Sequence, residues 1–213
     1  MKHLNVIHLQ NCGLHTPVSQ VSFLLDNLDK NSISHAPWDA FDYLPDVKFV
    51  FAYGADAIFV KYFVEEKFIK ASNAYNNGAV HEDACVELFI SFADEKAYYN
   101  LEFNCIGTAL VGYGETKEGR ELQPDSLISQ IRYQSLITNG HQGGDVHWQL
   151  TTIIPFTIFK YSNLSSLTGT KGMANFYKCG DHLPTPHYIS WSDIKSGEHN
   201  FHLPEFFGSL QFK

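Results

Sequence analysis

Positive charge is scarce in this chain. Lys and Arg supply 15 of its 213 residues against 23 Asp and Glu, and the formal net charge is -8. Phosphate backbones are held by clustered Lys and Arg, so this balance argues against nucleic acid as a partner and disfavours anionic membrane surfaces. It leaves neutral sugars open. Charged residues of both signs reach only 18%, on the low side for a globular domain. Long apolar runs are missing too: no stretch approaches the ~18 residues of a membrane helix. The opening residues do not read as a signal peptide, because His8 breaks the apolar stretch before Gln10 and no small-residue cleavage site follows. The expected location is therefore cytoplasmic for the sequence as given, or extracytoplasmic if the true start lies upstream. Close cysteine pairs are also absent. Cys12, Cys85, Cys105 and Cys179 form no Cys-x-x-Cys, and two of them fall in expected strands, so buried free thiols are the default.

What is present is apolar and aromatic. The apolar fraction is 44% and the aromatic fraction 15%, enough for a sizeable core. With no repeat, low-complexity tract or linker, residues 1-213 read as one domain. Residues 3 to 9 fit a short strand, and Val18, Val21, Leu24, Leu25 and Leu28 after Pro17 fit a helix. Residues 34 to 38 read as extended. Val47 to Tyr53 and Ile58 to Val64 alternate around Gly54-Ala55-Asp56 as a hairpin, and both of its faces are apolar enough for a central position in a sheet. Further strands are expected at 108-113, 131-137, 146-155, 172-179 and 206-212, with a Gly-rich turn over 139-145. Many short strands separated by turn signals predict an all-β fold, a two-sheet antiparallel β-sandwich of the immunoglobulin or jelly-roll kind, with a short N-terminal helix.

One stretch stands apart. Residues 85 to 92 and 98 to 104 alternate on either side of the break Ala93-Asp94-Glu95-Lys96, as an antiparallel hairpin does. Val86, Leu88, Ile90 and Phe92 share one face with Tyr99, Leu101, Phe103 and Cys105. The opposite face carries Cys85, Glu87, Phe89 and Ser91, then Tyr98, Asn100, Glu102 and Asn104. Asn is depleted in strands, so such a row suggests a surface kept for hydrogen bonding; the bland reading is a solvated sandwich face.

Five stretches in register resemble family 9 carbohydrate-binding modules, in the branch found free-standing in Bacteroidetes. They are Glu82-Asp-Ala-Cys-Val-Glu-Leu-Phe-Ile, Tyr98-Tyr-Asn-Leu-Glu-Phe-Asn, Asn175-Phe-Tyr-Lys-Cys-Gly-Asp, His187-Tyr-Ile-Ser-Trp-Ser and Phe201-His-Leu-Pro-Glu-Phe-Phe-Gly. The resemblance implies a non-catalytic protein whose shallow cleft takes one or two sugar units of a glycan in polysaccharide utilisation. A mono- or oligosaccharide is the implied ligand, and a glycoside hydrolase a possible partner, since relatives are fused to xylanases. It also implies that two aromatic rings sandwich the sugar while acids and amides bind its hydroxyls. On that pattern Trp191 matches one ring, Glu87 the acid of the Val-Glu motif, and Glu102 and Asn104 polar strand positions, with Lys178 another polar side chain. The second ring is replaced by His81, with Tyr75 in the preceding loop as a further platform. The alternative for Trp191 is a core residue sealing the sandwich. No metal or cofactor is carried over.

Three other chemistries compete. Glu87 and Glu102 on neighbouring strands could form the acid pair of a glycosidase, with separations of ~5 to 9 Å, but an open sheet face would lack the apolar pocket that makes one of them a general acid. The cluster Cys179, Asp181, His182, His187, His199 and His202 matches no zinc spacing. A haem-binding sandwich would use Met173, the sole internal methionine, with His81.

Overall fold

In a computed structural model, residues 2-93, 95-139 and 144-213 are described. The expected turn over 139-145 lies mostly outside them. Among the described residues, thirteen strands and two short α-helices follow in order. They are β1 (His3–His8), α1 (Val18–Asp26), β2 (Asn31–Ile33), β3 (Asp46–Tyr53), β4 (Ala57–Glu66), β5 (Cys85–Phe92), β6 (Tyr98–Asn104), β7 (Ala109–Gly114), β8 (Glu121–Leu122), α2 (Asp125–Ile128), β9 (Arg132–Asn139), β10 (Val146–Pro155), β11 (Lys171–Cys179), β12 (Tyr188–Ser190) and β13 (Gly208–Phe212).

The strands form two facing layers. The first runs β8-β7-β6-β5-β11-β13-β1 and the second β1-β3-β4-β10-β9, so β1 belongs to both. Its first four residues pair with β13 and its last two with β3, each in parallel. The layers are therefore one curled mixed sheet rather than two purely antiparallel ones. A parallel pair cannot be closed by a tight turn, and here the chain's first strand meets its last from opposite ends of the sequence.

Alternation decides what each face does. Val86, Leu88 and Ile90 of β5, Leu101 and Phe103 of β6, and Phe176 of β11 point into the space between the layers. There they meet Phe49, Phe51, Val60, Tyr62 and Leu150 of the second layer. The face of β3 turned away from this core carries Val50 and Ala52, which pack with Phe59 under Val21 and Leu25 of α1. This explains why the β3–β4 hairpin is apolar on both faces. The outer face of the first layer is different. Cys85, Phe89, Tyr98, Tyr177 and Cys179 gather there under Trp38, Ile194 and Phe201 from two long loops.

Candidate functional site

The outer face of the first layer and the loops over it enclose a cleft of about 570 Å³, a size suited to a small ligand. Its floor is Glu87 and Phe89 of β5, Asn100 and Glu102 of β6, and Cys179 at the end of β11. Trp38, Tyr188, His199 and Phe201 form one wall; Leu110, Arg120 and Leu122 form the other; His81 and Asp181 close an end. The wall is a packed set of rings. Trp38 lies 4.6 Å from His199 and 5.4 Å from Phe201, and Tyr188 lies 4.0 Å from His199 (centroid to centroid).

The floor is a hydrogen-bonded row. Glu87 and Glu102 are cross-strand partners, and they are only 3% and 6% exposed. Asn100 Nδ2 donates to Glu102 Oε1 at 2.9 Å, and Arg120 Nε donates to Asn100 Oδ1 at 2.8 Å. Gly112, opposite Asn100, makes room for this: a Cβ there would fall 2.5 Å from Asn100 Oδ1. Arg120 turns three further N–H groups on the carbonyls of Tyr98, Gly114 and Thr116, and its guanidinium sits 4.2 Å from the centre of the Tyr98 ring. One atom in the row is left over. Glu102 Oε2 is buried without a hydrogen bond, with His81 Nδ1 no nearer than 3.7 Å.

The electrostatics follow from this crowding. Burial, then the neighbouring Glu102 charge, push Glu87 well above the usual carboxylate range. Burial raises Asp181 as well. The Glu102 carboxylate facing its ring lifts His81 to about 9 against the opposing effect of burial, so His81 is a cation at neutral pH. Burial, aided by Arg120, drives His202 down to about 4, which leaves it neutral against the Tyr98 hydroxyl at 2.9 Å. The cleft thus offers acid acceptors, a cationic donor and aromatic faces together.

The sequence expectations are only partly brought together. Glu87, Glu102 and His81 line the cleft. Asn104 shares their face but lies beyond the cleft, fully buried. Its amide donates to the Asn73 carbonyl at 2.8 Å and to Asp83 Oδ2 at 3.1 Å, fastening the preceding loop. Asp83 also accepts from the backbone of Ser72 and Asn73. Tyr75 is exposed on that loop and lines no part of the cleft.

Trp191 and Lys178 require correction, and for the same reason. In Tyr188-Ile189-Ser190-Trp191 the alternation turns Tyr188 to the cleft and Ile189 and Trp191 into the main core. Trp191 is 2% exposed, edge-on to Phe49 at 5.9 Å and Phe176 at 5.7 Å. Gly208 is needed beside it, since a Cβ there would meet its ring at 2.4 Å. Lys178 likewise follows Phe176 inward. It is 0% exposed, with Nζ 2.9 Å from Glu66 Oε2 and 2.8 Å from His187 Nε2, inside the sandwich. Charge rather than a well-aligned hydrogen bond holds that Glu66 oxygen.

Sequence reasoning missed Trp38, Tyr188 and Arg120, and weighed Asp181 and His199 only as metal ligands. Asn100 was visible in the polar row; the others come from loops or from a three-residue strand whose pattern is too short to set its parity. The haem pair is not assembled. Met173 lies six residues along β11 from Cys179, about 20 Å of strand, and does not line the cleft.

The comparisons agree with this architecture. No curated protein matches the chain. A crystal structure of a candidate carbohydrate-binding protein from Bacteroides uniformis ATCC 8492 superposes with a TM-score of 0.91 at 34% identity, covering 100% of this chain and 99% of that one. Two structures of a family 9 carbohydrate-binding module from Caldicellulosiruptor kristjanssonii share the fold. The glucose complex has a TM-score of 0.67 at 12% identity, and the cellotriose complex 0.63 at 11%; each covers 100% of this chain, with 96% and 94% of the module. The family model for carbohydrate-binding family 9 matches residues 19-212, nearly the whole length, and the chain belongs to that family.

Proposed function

We propose that the cleft binds a neutral sugar, one or two units of a glycan, without catalysis, and that this serves polysaccharide utilisation beside glycoside hydrolases acting on the same polymer. The observation that carries the reading is the buried, unpartnered Glu102 Oε2, set in a row of acid and amide groups beneath an aromatic wall. A pyranose presents an apolar C–H face to a ring and hydroxyls to acceptors, and this cleft meets both demands. Arg120 commits four of its five N–H groups within the protein, so it holds the row in place. The glucose and cellotriose bound by the two solved modules are ligands of the same kind. Calorimetry with glucose, cello-oligosaccharides and the hits of a glycan array tests the proposal. Binding at millimolar concentration or below is expected, and no sugar binding at that level would overturn it.

A second reading, hydrolysis, gains one observation. The premise that the acid pair lies on an open face does not hold, because both acids are buried and Glu87 is raised as a general acid would be. Against catalysis, Glu87 and Glu102 stand side by side on one floor rather than flanking a bond, and Glu87 Oε1 is engaged by the Cys179 thiol at 3.0 Å. No turnover of aryl glycosides or xylan fragments is expected. Hydrolysis that disappears in Glu87→Gln would reverse this.

A further inference from the structure

The floor of the cleft holds a donor set that sugar recognition does not require. Cys85 of β5 and Cys179 of β11 stand opposite one another in antiparallel register. Glu87, two residues along β5, shares their face. The two Sγ atoms and a Glu87 carboxylate oxygen all lie within 4.8 Å of one another, and Cys179 Sγ is 3.0 Å from Glu87 Oε1. All three residues are buried, yet Glu87 and Cys179 form part of the cleft lining, so a small ion has a way in.

Among the described residues this is the one such cluster. The other two cysteines show what a purely structural thiol looks like here: Cys12 packs in the apolar cluster beneath α1, and Cys105 lies in the main core with its thiol on the Lys70 carbonyl.

We propose that Cys85, Cys179 and Glu87 form a binding site for a thiophilic divalent cation of the zinc and cadmium class, with its fourth position open to the cleft. Two sulfurs and one carboxylate suit such ions, whereas calcium and magnesium take oxygen alone. The fourth ligand is water. Two thiolates and a carboxylate leave one negative charge over on a divalent ion, and the cationic His81 stands at the same end of the cleft to offset it. The ligands bind as thiolates and carboxylate, so binding sends the thiol protons, and any proton held by Glu87, to solvent, and affinity rises with pH. The site shares Glu87 with the sugar cleft but does not depend on the sugar reading, which calorimetry on metal-free protein tests separately.

Titration of the reduced, full-length protein with cadmium tests the proposal. A thiolate-to-cadmium charge-transfer band should grow and saturate at one ion per chain. It should be lost in Cys85→Ser and in Cys179→Ser, weakened in Glu87→Gln, and unchanged in Cys12→Ser and Cys105→Ser. Because a buried serine can unfold a sheet, cadmium NMR of the wild-type protein gives the same answer without a variant: the shift should report two sulfur ligands. No band at saturating cadmium, a band that survives loss of both cleft cysteines, or a shift without sulfur ligation would overturn the site. So would reduced protein that takes no metal and, in air, simply joins Cys85 to Cys179.

Discussion

Lys178 and Cys179 are neighbours in sequence, yet they belong to two buried polar clusters on opposite faces of one sheet. Inward, Lys178 meets Glu66 and His187, while Trp148 Nε1 donates to Glu66 Oε1 at 2.6 Å; all of these groups are sealed between the layers. Outward, Cys179 meets Glu87 beside Glu102, all three buried, while His81 next to them is half-exposed and the group opens on a cleft. Burial and charge alone therefore do not mark a binding site. The inner cluster closes on itself, with a cation for its acid. The outer one also has a cation, His81 at 3.7 Å from Glu102 Oε2, but that cation is half-exposed and a cleft leads to the acid. That contrast predicts opposite responses to mutation.

The largest effect is expected inside. Lys178→Met leaves Glu66 buried without its cation, which costs about 3 to 5 kcal/mol. In a chain of this length that is a fall in melting temperature of roughly 6 to 20 °C by calorimetry. Sugar affinity measured well below melting should be unchanged. If melting stays put and binding vanishes, the division between the two faces is wrong.

Trp191→Ala should behave the same way, at about 3 to 5 kcal/mol, since it empties a site filled against Phe49 and Phe176. Binding lost with the fold intact would return Trp191 to the cleft.

Outside, the order reverses. Glu102→Gln keeps the shape of the row but weakens an acceptor, and hydrogen bonds to charged groups contribute about 1.5 to 3 kcal/mol. Affinity should drop roughly ten- to a hundredfold. Melting should move by a few degrees at most, which thermal scans on the same sample would show.

The smallest effect concerns pH. His81 in the folded protein titrates near 9, above its ordinary 6.5, because of Glu102. A raised histidine lends stability that is full below about 6.5, declines as pH rises, and is gone above about 9. Proton NMR should find the His81 midpoint near 9, moving down toward the ordinary value in Glu102→Gln. An unmoved midpoint would separate the two residues.

Much of this protein was legible in its sequence. The alternation over 85–104 assigned each side chain of β5 and β6 to the right face, and it placed Glu87 and Glu102 together before any coordinate was known. Regular runs of seven or eight residues carry that information because the pleat has a fixed period of two. The two-faced apolar hairpin β3–β4 likewise signalled a central position in its layer, between β1 and β10, while its cover by α1 was not read from it. Tertiary structure alone decided the rest. Whether Tyr188 or Trp191 reaches the cleft depends on the register of a three-residue strand against β11. Trp38, Arg120 and Asp181 enter from irregular segments whose direction no period sets. The parallel placing of β1 between β13 and β3 joins residues from the two ends of the chain, a long-range pairing that local pattern cannot encode.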